Sequence, residues 1–430
     1  MQRRRLLLMM AAMDESDDEV RPTGPKDKPE ATFSWEDHMR RLSPKDFKAR
    51  YRLDHAGFLK LLGLIEGDLT CSPKNKARAK ASNFGVLPDN RVKLAVALRV
   101  LAGAAVLDLQ LIYFLASKAT VYKYVWAVLD SINKRLVVHF PIDDVDKLGL
   151  LEKEFRAASR GAWEGQVMCV DGVHFGTICP SDRDVLNSAR YYVGRKSEYA
   201  ILCMAGCDYA RRIMYYDISQ APTTHDSLAF QASEIGARIV NGGLPQPFFV
   251  NGDAAFSASN SVITPSGKAQ HDDFDFHQSS NRMPIECAFG ILVRRWGIFW
   301  RKLSMRFDRR AAVVGACIRL HNFCIDERIE EQRFSEKGGK SEIQPGRWVD
   351  TPLFDREGRP VLLLTSRAAA RGAANKHARR DELIDAIAAS GLKRPKLAAG
   401  KLRKTKKARG KAGGTVPPGT VPPTRQRWYA

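Results

Sequence analysis

The chain has 430 residues and a formal net charge of +21, which comes from 69 basic and 48 acidic side chains. That length excludes a mini-protein and suits one large domain with a smaller one. The charge is larger than solubility alone requires, so it favours a polyanionic partner, with nucleic acid as the first candidate. The longest apolar stretch carries Arg99 and Asp108, so we expect no membrane span.

The first third of the chain has two predicted parts. Residues 1–33 are polar and lack periodicity, so we expect a disordered leader. Residues 34–150 show apolar side chains at helical intervals, which predicts an α-helical module. We expect this module to end at about residue 150, before the residue pattern changes at Gln166.

Residues 107–132 within this module read as a helix, a short turn and a second helix. The predicted inner face comprises Leu111, Leu115, Val121, Val125 and Leu129. Two interpretations remain open. The pair is either a helix-turn-helix that contacts DNA through Lys118, Thr120 and Lys123, or part of a plain helical bundle.

Residues 160–330 have the pattern of a second domain of the α/β class. A strand-length apolar run begins at Gln166, residues 199–208 and 211–220 resemble a β-hairpin, and residues 247–253 form another buried run. An amphipathic helix is predicted at 226–240 and a long helix at about 282–301. Because Pro284 is tolerated only in a first turn, we expect that long helix to begin at Ser280 or Asn281. Strands and helices interleaved in this way predict a mixed sheet flanked by helices.

Three acidic residues of this domain occupy unusual positions. Asp171 and Asp253 each end a buried apolar run, and Glu286 lies beside the apolar stripe of the long helix. Acids at strand ends often only cap turns, and that interpretation stays open. If the three converge, they form the kind of oxygen-rich site that Mg²⁺ prefers, and two such ions would support phosphoryl transfer.

Five segments of the chain resemble PIF/Harbinger-type transposases and related nucleases, the DDE superfamily endonucleases. They are CVDGVHFGTICP, HDSLAF, NGDAAFSASNSVITP, NRMPIECAFGILVRRWGIF and ACIRLHNFCID. The resemblance implies an RNase H-like catalytic domain in which Asp171, Asp253 and Glu286 match the family's D, D and E. It also implies bound Mg²⁺ or Mn²⁺, a DNA substrate, and a separate Myb-like DNA-binding partner protein.

Other residues near these motifs are candidates for secondary roles. His174 either contacts the DNA phosphate or is a hydrogen-bonded strand residue, and Asp226 either supports the site or caps a helix. Basic side chains after Glu286 would lie along bound DNA: Arg294, Arg295, Arg301 and Lys302. Arg195 and Lys196 are weaker candidates for a backbone contact.

The composition of the chain changes after about Glu330. Residues 331–390 form an extension, and residues 391–430 form a disordered basic tail. Within the tail, residues 393–411 contain ten Lys or Arg and no acid, which suits nuclear import or non-specific phosphate binding.

These observations together predict a nuclear, Mg²⁺-dependent DNA endonuclease or transposase. Two alternatives remain open. The chain is a catalytically silent, domesticated transposase that acts as a DNA-binding regulator, or it is a metal-dependent ribonuclease of the same fold. The sequence also leaves a homodimer open as the oligomeric state.

Overall fold

The computed structural model describes residues 33–69, 89–159, 161–328 and 377–395. Nearly all of the predicted leader, most of the predicted extension and most of the basic tail lie outside these residues. The chain divides into two compact units, Met1–Arg135 and Leu136–Ala430. None of the described helices is long and apolar enough to cross a membrane.

The first unit is α-helical throughout its described residues. Its helices are α1 (Trp35–Arg40), α2 (Pro44–Tyr51), α3 (His55–Leu69), α4 (Asn90–Leu101), α5 (Val106–Ile112) and α6 (Lys118–Arg135). Aromatic side chains fill much of the core, where Trp35 stacks on Phe58 and the Tyr51 and Tyr113 hydroxyl groups lie 2.8 Å apart. A helical N-terminal module was therefore correctly predicted.

Helices α5 and α6 are the two predicted helices of the helix-turn-helix candidate, and five residues separate them. The predicted inner face is partly wrong, because 74% of Leu111 is exposed while Val121, Val125 and Leu129 are buried. In α5 the buried position is Leu109 instead, and Tyr113 of the following turn is buried too. The DNA-contacting role of this helix pair stays a prediction.

The second unit contains a six-stranded sheet and its flanking helices. In chain order its elements are α7 (Val145–Ala158), β1 (Gln166–Thr177), β2 (Tyr192–Val193), β3 (Glu198–Cys207), β4 (Ile213–Asp217), α8 (Asp226–Ala232), α9 (Glu234–Val240), β5 (Phe249–Asn251), β6 (Val262–Ile263), α10 (Asp272–Arg295), α11 (Phe307–Asp326) and α12 (Ala378–Ala389).

The sheet is mixed, with the order β2-β3-β1-β5-β6 and with β4 also paired to β3. Strand β1 is antiparallel to β3 and parallel to β5, and β3 and β4 form the predicted antiparallel hairpin. This confirms the predicted α/β class with a mixed sheet between helices. The finer assignment to the RNase H-like fold stays a prediction.

Helix α7 belongs to the unit that contains the sheet. Phe140 and Ile142 before it, and Leu148 within it, are buried in one core cluster with Val167 of β1. The division between units therefore falls after Arg135 and not near residue 150, where the sequence pattern had suggested the end of the helical module.

Two predicted elements, one strand and one helix, differ in extent from the observed ones. Strand β1 continues six residues past Asp171 because β3 pairs with it as far as Thr177. The helix predicted at 226–240 is two helices, since Ser233 accepts a hydrogen bond from the Gly236 amide and so begins α9.

The long helix α10 was predicted to begin at Ser280 or Asn281, but it begins at Asp272 and ends at Arg295. Pro284 therefore lies inside the helix and cannot donate to the Ser280 carbonyl. The next carbonyl, that of Asn281, accepts a hydrogen bond from the Gln166 side chain of β1. Packing against the sheet thus accommodates a proline that local rules placed in a first turn.

Helix α12 was not predicted, and it completes a second core cluster. Leu383 and Ile387 are buried with Trp163, Phe249 and Phe274. The first residues of the predicted disordered tail are ordered, because Lys393 and Arg394 form ion pairs with Asp273 and Asp272 at the start of α10.

Candidate active site

Asp171 lies where the parallel part of the sheet ends. The last parallel pair of β1 and β5 is Cys169 with Asn251, so Asp171 projects just beyond the end of β5. The fully buried run of β1 ends at Val170, and Asp171 is half-buried. The amide of Gly172 donates to Asp171 Oδ1 at 2.8 Å, which orients the carboxylate.

Asp253 follows β5 by two residues and lies at the same edge of the sheet. Its Oδ1 accepts a hydrogen bond from the Ala255 amide at 2.9 Å, so this acid also stabilises a turn. The turn-capping interpretation is therefore correct for one oxygen of Asp253. The other oxygen is the one that remains for a ligand, in a residue that is half-buried.

Glu286 is joined to Asp171 by an arginine of the same helix. Arg282 donates from Nη1 to Asp171 Oδ2 at 3.0 Å and from Nη2 to Glu286 Oε1. The two acids are 115 positions apart in the sequence, yet a single guanidinium group contacts both. Arg282 was not singled out from the sequence, although its spacing of four residues from Glu286 is the spacing that brings side chains together on a helix.

A buried network of amide side chains positions the three elements that carry the acids. Gln278 of α10 donates to Asn251 Oδ1 at 2.7 Å and to the Gly252 carbonyl at 2.6 Å. Asn251 Nδ2 donates to Gln166 Oε1 and to the Gln278 carbonyl, and Gln166 in turn donates to the Asn281 carbonyl at 3.0 Å. Because all three amides are buried, these bonds fix the register between the two strands and α10.

Asp226 and His174 lie beside the same stretch of β1. Asp226 is the first residue of α8, not its N-cap, so the capping interpretation is wrong. A Cβ atom at Gly172 would lie 2.7 Å from Asp226 Oδ1, so only glycine lets this carboxylate approach the strand without displacement. His174 Nε2 donates to the Pro222 carbonyl at 3.1 Å, which supports the interpretation of a hydrogen-bonded strand histidine.

The acids influence one another electrostatically. Burial raises the pKa of Asp171 to about 6, and the negative charges of Asp253 and Asp226 add to this effect. The Gly172 amide and Arg282 act in the opposite direction. Burial, and then the charge of Asp253, also raise the pKa of Asp226. The cluster therefore carries more negative charge than its surroundings neutralise.

The candidate DNA-binding residues lie in several places. Arg294 and Arg295 are in the last turn of α10, about 12 Å beyond Glu286 along the helix. Arg301 and Lys302 are exposed, and the adjacent Leu303 donates its amide to the Gly176 carbonyl of β1. In the first unit, Lys118 and Lys123 are exposed, and the Thr120 amide donates to Ser117 Oγ.

The three carboxylates fit a hard divalent cation by their chemistry. Each offers oxygen donors, and burial together with the neighbouring charges of Asp253 and Asp226 raises the pKa of Asp171. Within the described ranges, no three His, Cys, Asp or Glu side chains are arranged to enclose a metal ion. The positive charge between Asp171 and Glu286 is that of Arg282.

Comparison with known proteins agrees with the resemblance noted in the sequence. Residues 170–322 match the family described as DDE superfamily endonuclease. The chain is 22% identical over 331 residues to Protein ALP1-like of Arabidopsis thaliana, which covers 70% of this chain and 78% of that protein. No solved structure gives a significant match. The predicted resemblance to DDE superfamily endonucleases is thus confirmed, and Asp171, Asp253 and Glu286 all lie within the matching segment.

Proposed function

We propose that the second unit is a divalent-metal-dependent DNA endonuclease of the RNase H-like type, acting as a transposase or as a nuclease derived from one. One observation carries the proposal: Arg282 contacts both Asp171 and Glu286, and the charge of Asp253 acts on Asp171. Arg282 thus joins two acids that are distant in sequence, and a third acts on one of them, all inside the segment that matches the DDE superfamily endonuclease family.

In this proposal the three acids act together. Asp171, Asp253 and Glu286 would supply the oxygen donors that hold Mg²⁺ or Mn²⁺. When bound, the ions would supply Lewis-acid stabilisation of the phosphoryl group. The Gly172 amide orients Asp171, and the Gln278 side chain holds the backbone just before Asp253, so the protein restrains two of the proposed ligands.

DNA is the proposed substrate, and its phosphates would pass over the basic residues around the site. Contacts with phosphates fix the position of DNA on a protein without reading its sequence. We assign this role to Arg294, Arg295, Arg301 and Lys302, and a second set of contacts to Lys118, Thr120 and Lys123 of the first unit. Sequence recognition would be shared with a Myb-like partner protein, the chain would act in the nucleus, and a homodimer is the oligomeric state to test first.

The proposal is tested by Asp253→Asn. We expect this variant to lose Mg²⁺-dependent cleavage of DNA, because a neutral amide is a poor ligand for Mg²⁺, while its affinity for DNA stays within about twofold of the wild type. Equal cleavage by the variant and the wild type would refute the assignment. Parallel assays on RNA and on RNA–DNA hybrids separate a DNA endonuclease from a ribonuclease with the same acids.

A catalytically silent DNA-binding regulator is the second candidate function. The observation in its favour is that Arg282 already forms ion pairs with two of the three acids. This candidate predicts DNA binding without cleavage at any Mg²⁺ or Mn²⁺ concentration, and it predicts that Asp253→Asn changes nothing.

A further inference from the structure

Arg282 occupies the place between two of the proposed metal ligands. Its side chain is only 15% exposed, and both of its terminal nitrogens donate to carboxylates, one to Asp171 and one to Glu286. A guanidinium group presents its donors in a planar fork, so it suits two carboxylates on opposite branches. The chain itself therefore supplies a cation between these two acids.

The two oxygen atoms that Arg282 uses are atoms that a metal ion would need. Asp171 Oδ2 and Glu286 Oε1 each accept a bond from the guanidinium group. A divalent cation that bound these oxygens would also lie within a few ångströms of a fixed positive charge, and like charges at that distance repel strongly. Arg282 and a metal ion therefore compete for these two oxygens.

We propose that Arg282 is an exchangeable counter-ion: it pairs with Asp171 and Glu286 when no metal is bound, and a divalent cation must displace it from these oxygens to bind. The inference rests on the proposed function, because it assumes that Asp171 and Glu286 are metal ligands. It adds a property of the site that the three acids alone do not have, which is a built-in competitor for the metal.

The surroundings of Arg282 suit an exchange that moves only the side chain. Its backbone lies between Asn281, whose carbonyl is held by Gln166, and the buried Pro284, so the helix itself is fixed. Glu286, in contrast, is 53% exposed. One of the two ion pairs therefore opens directly to solvent, and the guanidinium group leaves by rotation about its own side-chain bonds.

This arrangement has an energetic consequence in each state of the site. Without metal, Arg282 offsets the repulsion among Asp171, Asp253 and Asp226, which would otherwise destabilise the folded chain. With metal, the same ion pairs must be broken, so the apparent affinity for the cation is lower than that of the bare carboxylates. Removing the guanidinium group should therefore lower the stability of the metal-free protein and raise its affinity for the metal.

The test is a calorimetric titration of the full chain with Mn²⁺, in the absence of DNA. We expect Arg282→Gln to bind Mn²⁺ about tenfold more tightly than the wild type. A tenfold change in affinity has about the free energy of one moderate polar interaction, and the variant has lost the interaction that competes with the metal. Arg282→Lys keeps the charge but not the fork, so it should fall between the two. Arg183→Gln removes an exposed charge elsewhere in the unit and should leave the affinity unchanged.

A thermal denaturation series supplies a second readout. The Tm of metal-free Arg282→Gln should lie below that of the wild type, and Mn²⁺ should raise it by more than it raises the wild-type Tm. If Arg282→Gln does not fold without metal, Arg282→Lys carries the test, with a smaller change in the same direction. Equal or weaker Mn²⁺ binding by both Arg282 variants would overturn the inference.

The outcomes also separate this inference from the proposed function. Adding Asp171→Asn to Arg282→Gln should abolish the gain in Mn²⁺ affinity. If wild-type binding depends on Asp171 but the Arg282 variants bind no more tightly, the proposed site stands and the counter-ion role fails. If no protein in the series binds Mn²⁺ through Asp171, both proposals fail.

Discussion

Gln166 of β1 donates a hydrogen bond from Nε2 to the backbone carbonyl of Asn281 in α10, at a distance of 3.0 Å. This bond ties the strand that carries Asp171 to the helix that carries Glu286. The Gln166 side chain is fully buried, and its Oε1 also accepts from Trp163 and Asn251. One side chain thus connects two elements of the candidate site and the strand that precedes Asp253.

We expect Gln166→Leu to lower the free energy of unfolding by about 2 to 4 kcal/mol, because it leaves several buried polar groups without partners. The measurement is urea denaturation of the full chain. Gln270→Leu, an exchange of the same kind at an exposed position, should change the midpoint little. Equal midpoints for the two variants would show that the network contributes no stability.

Gly172→Ala is expected to displace Asp226 and to leave the fold intact. The new Cβ atom would lie 2.7 Å from Asp226 Oδ1, and a carboxylate end can rotate away at a cost of about 1 kcal/mol. If Asp226 supports the site, Mg²⁺-dependent cleavage should fall about tenfold, and Asp226→Asn should add little to that loss. If the two substitutions reduce cleavage additively, the alanine acts by a route that does not involve Asp226. Gly194→Ala, where a Cβ meets nothing within 4 Å, is the control.

Asp208 should make the stability of the chain depend on pH. Burial raises the pKa of Asp208 to about 7, with the charge of Glu154 as a further cause. The folded state therefore holds this proton more tightly than the unfolded state, whose pKa is the ordinary 3.8. The resulting stabilisation is complete below pH 3.8 and is lost as the pH rises to about 7.

Asp208→Asn should remove this pH-dependent loss of stability, because an amide does not ionise. The amide oxygen can still accept the hydrogen bond from the Arg212 backbone amide. We expect the variant to be more stable than the wild type at pH 8 by about 1 to 3 kcal/mol. The two proteins should converge as the pH approaches 4. Denaturant midpoints measured between pH 4 and 8 check the prediction, and parallel pH curves would contradict it.

Helix α12 should be required for the stability of the second unit. Leu383 is buried against the cluster that contains Trp163 and Phe249, so Leu383→Asp places a charge in that cluster. We expect a loss of about 3 kcal/mol or more in the free energy of unfolding. Ala386→Asp adds the same charge on the exposed face of α12 and serves as the matched control. The measurement is denaturant unfolding of both variants, and similar midpoints would mean that α12 does not stabilise the unit.

The basic residues near β1 should set the salt dependence of DNA binding. If Arg301 and Lys302 each contact one phosphate, Arg301→Ala and Lys302→Ala should each reduce the slope of log affinity against log salt by about 1. Lys153→Ala, at an exposed position in α7, should leave the slope unchanged. Deleting residues 396–411 should flatten the slope further, and an unchanged slope would rule out a role for that basic run.

The sequence predicted most of what depends on local patterns. The apolar run that ends at Val170, the hairpin of β3 and β4, and the positions of Asp171 and Asp253 after buried apolar runs all follow from residue order. The helical nature of the first unit also follows from periodicity. These features are set by short-range preferences that a single segment carries.

Other features depend on contacts between distant residues and were not predictable in this way. Helix α10 begins eight residues before Ser280 because the sheet stabilises a segment that contains Pro284. Leu111 fits the helical periodicity of α5 but lies on its exposed side. Arg282 looked like one basic residue among many, and only the fold shows that it joins Asp171 to Glu286.

The placement of α12 also bears on how the protein matures during synthesis. Trp163 and Phe249 are translated long before Leu383 and Ile387, which cover them. A nascent chain that has passed the segment with all three acids therefore still exposes part of its apolar interior on the ribosome. A message truncated before codon 377 would encode every proposed ligand yet yield a product prone to aggregation and degradation.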